Sequence, residues 1–207
     1  MVFPIIIAAT SNKHKLREIQ HILKLRVKGQ GTKVKEDGRT FKANAIKKVK
    51  SIKLLPGHIA IADDSGLMVD CLGGKPGLKS ARFASPPTAE NLCNKLLKTM
   101  VNCRRRQAQF VCVMAIAYPD GRVKTVKGLC RGKIIEEMRG RQGFGYDPVF
   151  VPAGYKKTFA QMSPAMKNRI SHRARALRKL KARLKYNCAR QGSNLLPTAS
   201  KAVALSK

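Results

Sequence analysis

The stretch Ala60-Ile61-Ala62-Asp63-Asp64-Ser65-Gly66 decides how the rest of the chain is organised. Its apolar part predicts a buried strand that ends in two adjacent carboxylates, a hydroxyl and a glycine. The chain has only 11 acidic residues against 43 basic ones, so two neighbouring aspartates indicate a divalent-metal site rather than an acidic surface. Adjacent side chains of a strand point to opposite faces, which predicts one aspartate that holds the metal and one that orients it. The alternative is a strand-ending turn in which Asp63 or Asp64 accepts backbone N–H groups.

The size and composition are those of one globular domain. The chain has 207 residues, 43% of them hydrophobic, and no segment approaches the roughly 18 apolar residues that span a bilayer. The first nine residues lack the basic region and cleavage site of a signal peptide, so we expect a cytoplasmic protein without a membrane anchor. Six cysteines, at 71, 93, 103, 112, 130 and 188, form no C-x-x-C pair, which argues against zinc and predicts reduced, mostly buried thiols.

The formal charge of +32 by itself suggests contact with nucleic acid. Lysines and arginines are spread along nearly the whole chain, whereas a dedicated nucleic-acid-binding protein more often concentrates them on one face or in a tail. We therefore expect a generally basic surface that binds nucleic acid only non-specifically. The acidic minority is more informative, because many of its members lie in or beside stretches with Gly, Asn, Ser or Thr: Glu18, Glu36, Asp63, Asp64, Asp70 and Asp147.

The start of the chain predicts a phosphate-binding turn. Residues 2–9 form an apolar run typical of a strand buried on both faces, and residues 13–24 have the apolar spacing of a helix. Thr10-Ser11-Asn12 stands between them. Free backbone N–H groups, the helix dipole, the two hydroxyls, Lys13 and Lys15 would all favour an anion there. Simple capping of the helix by Ser11 or Asn12 is the alternative.

The remaining segments complete an α/β pattern. Further helices are predicted over residues 40–54, 89–101 and 163–185, and further strands at 60–62, 109–118, 122–129 and 149–151. Pro119-Asp120-Gly121 predicts a hairpin, so part of the sheet should be antiparallel. Lys48 lies beside the apolar stripe of its helix, where a lysine usually extends its charge to solvent but can also reach into a cleft. Periodicity is lost beyond residue 186, which predicts a domain over 1–186 and a disordered extension over 187–207.

Residues 140–148 form a glycine-spaced aromatic loop, and such a loop can close over a flat ring. The loop also imitates an RNA-recognition signature, in which a basic residue precedes Gly-Phe-Gly-Phe. That likeness fails because Gln142 takes the basic position and Asp147-Pro148 falls where the strand should continue.

Six blocks of the sequence resemble, in order and spacing, the inosine triphosphate pyrophosphatase family over about residues 2–184. The blocks are Ala9-Thr10-Ser11-Asn12 with Lys15 and Glu18; Glu36 with Thr40-Phe41 and Asn44-Ala45; Ala62-Asp63-Asp64-Ser65-Gly66-Leu67; Leu72-Gly73-Gly74 with Pro76-Gly77 and Ser80-Ala81-Arg82; Gly143-Phe144-Gly145-Tyr146-Asp147-Pro148; and Lys167-Asn168 with Ser171-His172-Arg173. The resemblance implies an α/β fold with a twisted mixed central sheet, flanking helices and two lobes around a nucleotide cleft. It also implies hydrolysis of ITP, dITP and XTP to the monophosphate and pyrophosphate, with Mg²⁺ as cofactor and a homodimer as the assembly.

Where the motifs match, the resemblance implies roles for single residues. Asp64 would accept the proton of the attacking water and bind Mg²⁺ with Glu36, while Lys48 would neutralise the phosphates. The triphosphate would be held by Thr10, Ser11, Asn12, Lys13, His14, Lys15 and Ser65. The purine pocket would be formed by Phe144, Gly145, Tyr146, Asp147, Lys167, His172 and Arg173, with the last two donating to the 6-oxo group. A basic nucleic-acid-binding protein that retains the scaffold is the alternative function.

Ala43 and Gln161 depart from the family pattern, because glutamate is usual at both positions. Neither position is assigned to catalysis, and the loss of two carboxylates follows the basic composition of the chain. We interpret them as compensated substitutions.

Overall fold

The structure is a computed structural model that describes the backbone of residues 5–192 and the side chains of residues 5–184. The strands are β1 (Ile5–Ala9), β2 (Val27–Gln30), β3 (His58–Val69), β4 (Gln107–Ala117), β5 (Val123–Ile134) and β6 (Phe150–Pro152). The helices are α1 (Lys13–Leu23), α2 (Phe41–Lys50), α3 (Ala89–Thr99), α4 (Pro164–Ile170) and α5 (His172–Gly192). Short 3-10 segments lie at Asp70–Leu72, Gly77–Arg82 and Phe159–Gln161.

Within the described residues, six strands form one mixed sheet in the order β2-β1-β3-β4-β5-β6. β1 is parallel to β2 and β3, and the neighbours from β3 to β6 are antiparallel. The expected hairpin joins β4 to β5. The predicted α/β fold with a mixed central sheet and flanking helices is confirmed. β2 was not predicted, because only its first residue is buried and the strand shows no apolar pattern.

Apolar clusters fix the helices on the sheet and divide the molecule into two lobes. One cluster packs α1 and α5 on one face, and a second packs α2 on the opposite face. A third gathers α3 and β6 around the far ends of β3 and β4. The single strand β3 contributes Ile61, Ala62 and Leu67 to the three clusters in turn. The long strands thus connect the lobes, and a cleft lies between them.

β3 does not end at the aspartates, so that part of the prediction is wrong. Asp63 lies opposite Met114 and Asp64 opposite Val113 in the ladder with β4, which continues to Val69. The strand can continue because Lys15 and Arg173 pair with Asp63 and Lys48 lies near Asp64, so neither carboxylate is buried without a cation. Neither aspartate ends the strand in a turn.

The helix predicted over residues 163–185 is two helices, separated at Ser171. Ser171 has an extended backbone (φ −63°, ψ 160°), and its hydroxyl accepts a hydrogen bond from Ala174 N at 3.2 Å, which caps α5. The start of α5 lies against β5 at Gly128, where a Cβ would be only 2.1 Å from the carbonyl oxygen of His172. The break and the glycine together bring His172 to the sheet.

α5 also extends further than expected. It continues to Gly192, so residues 187–192, predicted to begin a disordered extension, are helical. No glycine or proline stands between residues 186 and 191 to end the helix. The rest of the predicted extension, residues 193–207, lies outside the described residues, and the domain boundary stays a prediction.

Cys71 and Cys103 form a disulfide with their Cα atoms 6.1 Å apart. The prediction of reduced thiols is wrong for this pair, because the antiparallel pairing of β3 with β4 brings the two flanking segments together. Cys93, Cys112 and Cys130 are free and buried, as expected. Burial raises the pKa of Cys93 and of Cys112 to about 12. Their thiols are therefore inert at neutral pH.

Among residues 5–192, no strand pairs with most of the outer edge of β5. β6 pairs with β5 only from Gly132 to Ile134. Along the rest of β5, Lys179 Nζ donates to the carbonyl oxygen of Lys127 at 2.9 Å, and Arg183 donates to that of Thr125 at 3.1 Å.

In the described part of the chain no helix is long and apolar enough to cross a membrane.

Candidate active site

Asp63 faces α1 and α5 and is saturated with donors. Its Oδ2 lies 3.2 Å from Lys15 Nζ and 3.0 Å from an Arg173 nitrogen, and it accepts a hydrogen bond from the Ser65 hydroxyl at 3.0 Å. Burial alone would raise the pKa of Asp63, but the charges of Lys15 and Arg173 outweigh it and hold that pKa far below its usual range. Asp63 is therefore a permanent anion that orders two cations.

Asp64 faces α2 and has one neighbouring cation where Asp63 has two, and the Ser65 N–H donates to its Oδ1 at 3.1 Å. Asn44 Nδ2 donates to its Oδ2 at 3.0 Å, and Lys48 Nζ lies 3.6 Å from its Oδ1. Burial raises the pKa of Asp64, and Lys48 and Asn44 only partly offset that effect. A carboxylate with a raised pKa and a fixed orientation is suited to accept a proton. The expectation that the two aspartates differ in role fits this geometry.

Lys48 joins Asp64 to the second predicted metal ligand. Its ammonium is 3.2 Å from Glu36 Oε2, so one cation stands between the two carboxylates. The Glu36 side chain is 38% exposed, and Arg82 holds its backbone through a 3.0 Å hydrogen bond to the Glu36 carbonyl oxygen. Lys48 and Asp64 are thus buried against the sheet, while Glu36 opens the group to solvent.

The donor set suits Mg²⁺ that is shared with a substrate. Among the described residues no three His, Cys, Asp or Glu side chains converge as a closed metal cage. Mg²⁺ is usually bound by one or two carboxylates together with water and substrate phosphates. Glu36 and Asp64 offer two hard oxygen ligands, and the exposed Glu36 side leaves room for water and phosphates, so the pair fits the ion if Lys48 moves from between them to the phosphates.

The two departures from the family pattern lie at helix starts rather than in this group. Thr40 caps α2 by accepting a hydrogen bond from Ala43 N, and Thr158 accepts one from Gln161 N. Gln161 Oε1 accepts the Thr158 N–H in return, which completes a capping box. A glutamate at either position would serve the same purpose. Gln161 therefore keeps the return hydrogen bond of the capping box, and Ala43 lacks it.

The segment after β1 lies at the mouth of the cleft. Asn12 caps α1, accepting hydrogen bonds from His14 N at 3.0 Å and Lys15 N at 3.1 Å, so the capping alternative is correct for this residue. Thr10 in turn accepts a hydrogen bond from Asn12 N. Ser11 and Lys13 are exposed beside them. Ser11 and Lys13 are therefore accessible to an anion from solvent.

A cleft of about 530 Å³ lies between the lobes. Of the predicted site residues it is lined by Asn12, His14, Lys15, Ser65, Phe144, Gly145, Tyr146, Asp147, Lys167, His172 and Arg173. Thr10, Ser11, Lys13, Glu36, Lys48 and Asp64 do not line it. The His14 and Phe144 rings stack with centroids 5.4 Å apart, and Lys167 Nζ lies 4.5 Å above the Phe144 ring. One wall of the cleft is therefore formed by aromatic rings and cationic side chains.

A buried ion-pair network forms the floor of the cleft. Lys167 Nζ is 2.6 Å from Asp147 and 2.9 Å from Glu18, and Glu18 also pairs with Arg173. Burial would raise the pKa of Glu18, but Arg173 and Lys167 outweigh it and lower that pKa to about 2. Glu18 has no role in the sequence prediction. It is one of only 11 acidic residues and lies three positions after Lys15, and both facts indicate a place near the site.

Two buried nitrogens beside the cleft have no hydrogen-bond partner within the described residues: His172 Nδ1 and Arg173 Nε. The His172 ring stacks on Phe110 with centroids 4.6 Å apart. Burial, together with the charge of Arg173, lowers the pKa of His172 well below 6.5, so the ring is neutral. Buried polar groups are rarely left unpaired, which makes these two nitrogens candidate contacts for a ligand.

The mixed α/β sheet, the cleft with its aromatic and cationic wall, and the nearby carboxylate pair define a protein that binds a phosphorylated ring compound. The sequence matches the Ham1 family over residues 6–183. The chain belongs to this family, which confirms the resemblance drawn from the six blocks.

Individual relatives agree with this assignment. The chain is 46% identical over 185 residues to a dITP/XTP pyrophosphatase of Desulforamulus reducens, covering 84% of this chain and 92% of that protein. It is 45% identical over 183 residues to a dITP/XTP pyrophosphatase of Synechocystis sp., with coverages of 86% and 93%. The solved structure of the Staphylococcus aureus Ham1 protein superposes with a TM-score of 0.78 at 38% identity, covering 88% of this chain and 99% of that one. A Coxiella burnetii HAM1 protein gives 0.79 at 35% identity, with coverages of 89% and 100%.

Proposed function

We propose that this chain hydrolyses ITP, dITP and XTP to the nucleoside monophosphate and pyrophosphate. The names of its relatives support this substrate class. The observation that carries the proposal is the position of Asp64, a buried carboxylate that Asn44 orients, one residue along β3 from Ser65 in the cation-lined cleft. A nucleotide bound in the cleft has its phosphates near the strand that carries this base. The alternative of a nucleic-acid-binding protein that merely retains the scaffold receives no support from the relatives.

The chemistry requires water to attack the α-phosphorus while the bond to the bridging oxygen breaks. Asp64 takes the proton of that water, and Asn44 keeps the carboxylate oriented. Lys48 and Lys15 offset the negative charge that grows on the phosphoryl oxygens. Glu36 and Asp64 would hold Mg²⁺, which when bound polarises the phosphoryl group and neutralises the pyrophosphate that leaves.

Selection of the base follows from hydrogen-bond direction. The purine would stack on Phe144 in exchange for the His14 ring that stacks there now, and the unpartnered nitrogens of His172 and Arg173 would bond to its edge. A 6-oxo purine presents an acceptor to these groups, whereas the 6-amino group of adenine presents donors. Adenine would leave the Arg173 N–H buried and unpaired, which disfavours it.

We further propose that the protein is a cytoplasmic homodimer that binds nucleic acid without sequence preference. The resemblance to the family supports the dimer, and the basic composition supports weak contacts with nucleic acid.

The test is release of pyrophosphate from ITP, dITP and XTP, with ATP and GTP as comparison substrates, with and without Mg²⁺. We expect rapid release from the first three, slow release from ATP, and loss of activity when the metal is removed by chelation. Equal rates for ITP and ATP would contradict the assigned base pocket. Release of orthophosphate in place of pyrophosphate would contradict the reaction itself.

A further inference from the structure

A basic groove crosses the outer side of α5 and β5 and shares no lining residue with the nucleotide cleft. Two adjoining cavities, of about 450 and 330 Å³, have Leu129 and Arg175 in common and together form it. Its cations are Lys127, Arg131, Arg175, Arg178 and Lys179. The sequence predicted an evenly spread basic surface, whereas the fold brings these charges from two distant segments onto one groove.

The charges of the basic groove are held in place but not neutralised. Among the described residues none of the five cations forms an ion pair with a carboxylate. No Asp or Glu occurs in the sequence after Asp147. Arg175 and Arg178 instead donate to the carbonyl oxygens of Ile170 and Arg169, at 3.0 and 2.9 Å. A carbonyl fixes a guanidinium without cancelling its charge, so the groove keeps an affinity for anions.

An exposed aromatic ring stands at one end of the basic groove. Tyr155 lines the smaller cavity with 41% of its surface accessible, in the turn that follows β6. Lys156 and Lys157, the next two residues, are also exposed. An accessible ring beside a track of cations is the arrangement by which proteins hold single-stranded nucleic acid, with bases stacked on the ring and phosphates along the cations.

The dimensions and surroundings favour this ligand over a membrane. Along β5, Lys127 and Arg131 are about 13 Å apart, so the basic groove can contact successive phosphates of a short single-stranded segment. Membrane binding by a helix requires apolar residues on the same exposed face. In α5 Leu177, Leu180 and Leu184 are buried in the core and unavailable for insertion.

We propose that the basic groove binds single-stranded nucleic acid through its phosphates, with Tyr155 stacked on an unpaired base. This site is separate from the pyrophosphatase site, and its test does not depend on that activity.

The experiment measures fluorescence anisotropy of labelled 12-nucleotide DNA and RNA strands of mixed sequence with the full chain, between 50 and 200 mM KCl. The groove variant Lys127→Gln/Arg131→Gln/Arg178→Gln is compared with a matched variant of equal charge, Lys42→Gln/Lys50→Gln/Lys53→Gln, which alters exposed lysines on and after α2. We expect the groove variant to bind at least tenfold more weakly. We also expect its slope of log affinity against log salt to fall by about 2, because each single-strand phosphate contact contributes roughly 0.7.

Variants of Tyr155 separate the contribution of base stacking to affinity from the contribution of charge. Tyr155→Ala is expected to weaken binding roughly tenfold with an unchanged salt slope, and Tyr155→Phe to retain affinity, since stacking needs only the ring. Circular dichroism melting verifies that every variant is folded.

Three results would overturn the proposal. The two triple variants could lose affinity equally, which would place binding on the whole basic surface. Duplex DNA could bind as tightly as single strands and without dependence on Tyr155. Vesicles containing phosphatidylserine could bind more tightly than the oligonucleotides and lose that binding in the groove variant.

Discussion

The two faces of β3 treat neighbouring aspartates in opposite ways. Asp63 contacts two cations and a hydroxyl, and its pKa is far below the usual range. Asp64 contacts the Asn44 amide, the Ser65 N–H and a single, more distant lysine, and its pKa is raised. Both are buried, at 2% and 6% exposure, so the number and distance of the neighbouring cations decide the difference. One step along a strand separates a charge that maintains the structure from one that can take part in chemistry.

The largest expected effect is on the Asp64 face. Asp64→Asn keeps the shape of the side chain but can neither accept a proton nor supply a charge to Mg²⁺, so kcat/KM for ITP should fall on the order of a thousandfold. The melting temperature should stay close to that of the parent chain. Normal hydrolysis by a folded Asp64→Asn protein would refute the assigned role.

Asp63→Asn should produce the opposite pattern, a loss of stability with a smaller loss of turnover. The change leaves Lys15 and Arg173 buried beside a neutral amide, and removing one partner of a buried pair costs about 3 kcal/mol. Urea denaturation measures the free energy of unfolding. An unchanged denaturation midpoint would show that Asp63 is not needed to hold these cations.

Acid should weaken the Asp63 face through Glu18. The pKa of Glu18 is lowered from 4.5 to about 2 in the folded protein, so its stabilising effect is complete above pH 4.5 and is lost as pH falls toward 2. The free energy of unfolding should decline over that range by on the order of 2 kcal/mol from this residue. Glu18→Gln, less stable at neutral pH, should show a shallower decline. Parallel curves for the two proteins would exclude Glu18 as the source.

Arg173 connects the Asp63 face to the proposed base pocket. Arg173→Ala should reduce turnover of ITP roughly tenfold more than turnover of ATP, because a lost charged hydrogen bond to the 6-oxo group matters only where that group exists. Steady-state rates for both substrates provide the measurement. Proportional losses with both would assign Arg173 to structure or to phosphate binding.

The smallest effect is expected at an exposed pair near the Asp64 face. Lys47 and Asp37 form an ion pair in which each side chain is nearly half exposed. Because exposed pairs contribute little, Lys47→Ala should leave both the melting temperature and turnover unchanged within error. A large loss of activity would mean that Lys47, like Lys48, acts on the substrate.

Local features of the fold could be predicted from the sequence. The first strand and the Asp-Gly hairpin each depend on residues next to one another, and both occur as expected, the strand over Ile5–Ala9. Residues 2–4 of the predicted strand lie outside the described residues, and phosphate binding at the segment after it stays a prediction. The grouping of Lys167, His172 and Arg173 around the cleft followed from the family resemblance rather than from periodicity.

The features that escaped prediction depend on contacts between distant residues. β3 continues through Asp63 because Arg173, 110 positions later, pairs with that carboxylate. Cys71 reaches Cys103 because β3 pairs with β4. The sequence around Ser171 has the apolar spacing of one continuous helix. The helix breaks there because the start of α5 packs against β5 at Gly128. The assignment of metal ligands and base contacts stays a prediction.

The side chains that α5 lays across β5 also bear on how copies of this chain associate. An unpaired strand edge attracts other strands and is a common route to aggregation. Here the outward carbonyls of Thr125 and Lys127 already accept hydrogen bonds from Arg183 and Lys179, so an incoming strand would have to displace two charged donors. We therefore expect the proposed homodimer not to extend the sheet at β5. Conditions that detach α5 should expose that edge and cause copies of the chain to self-associate.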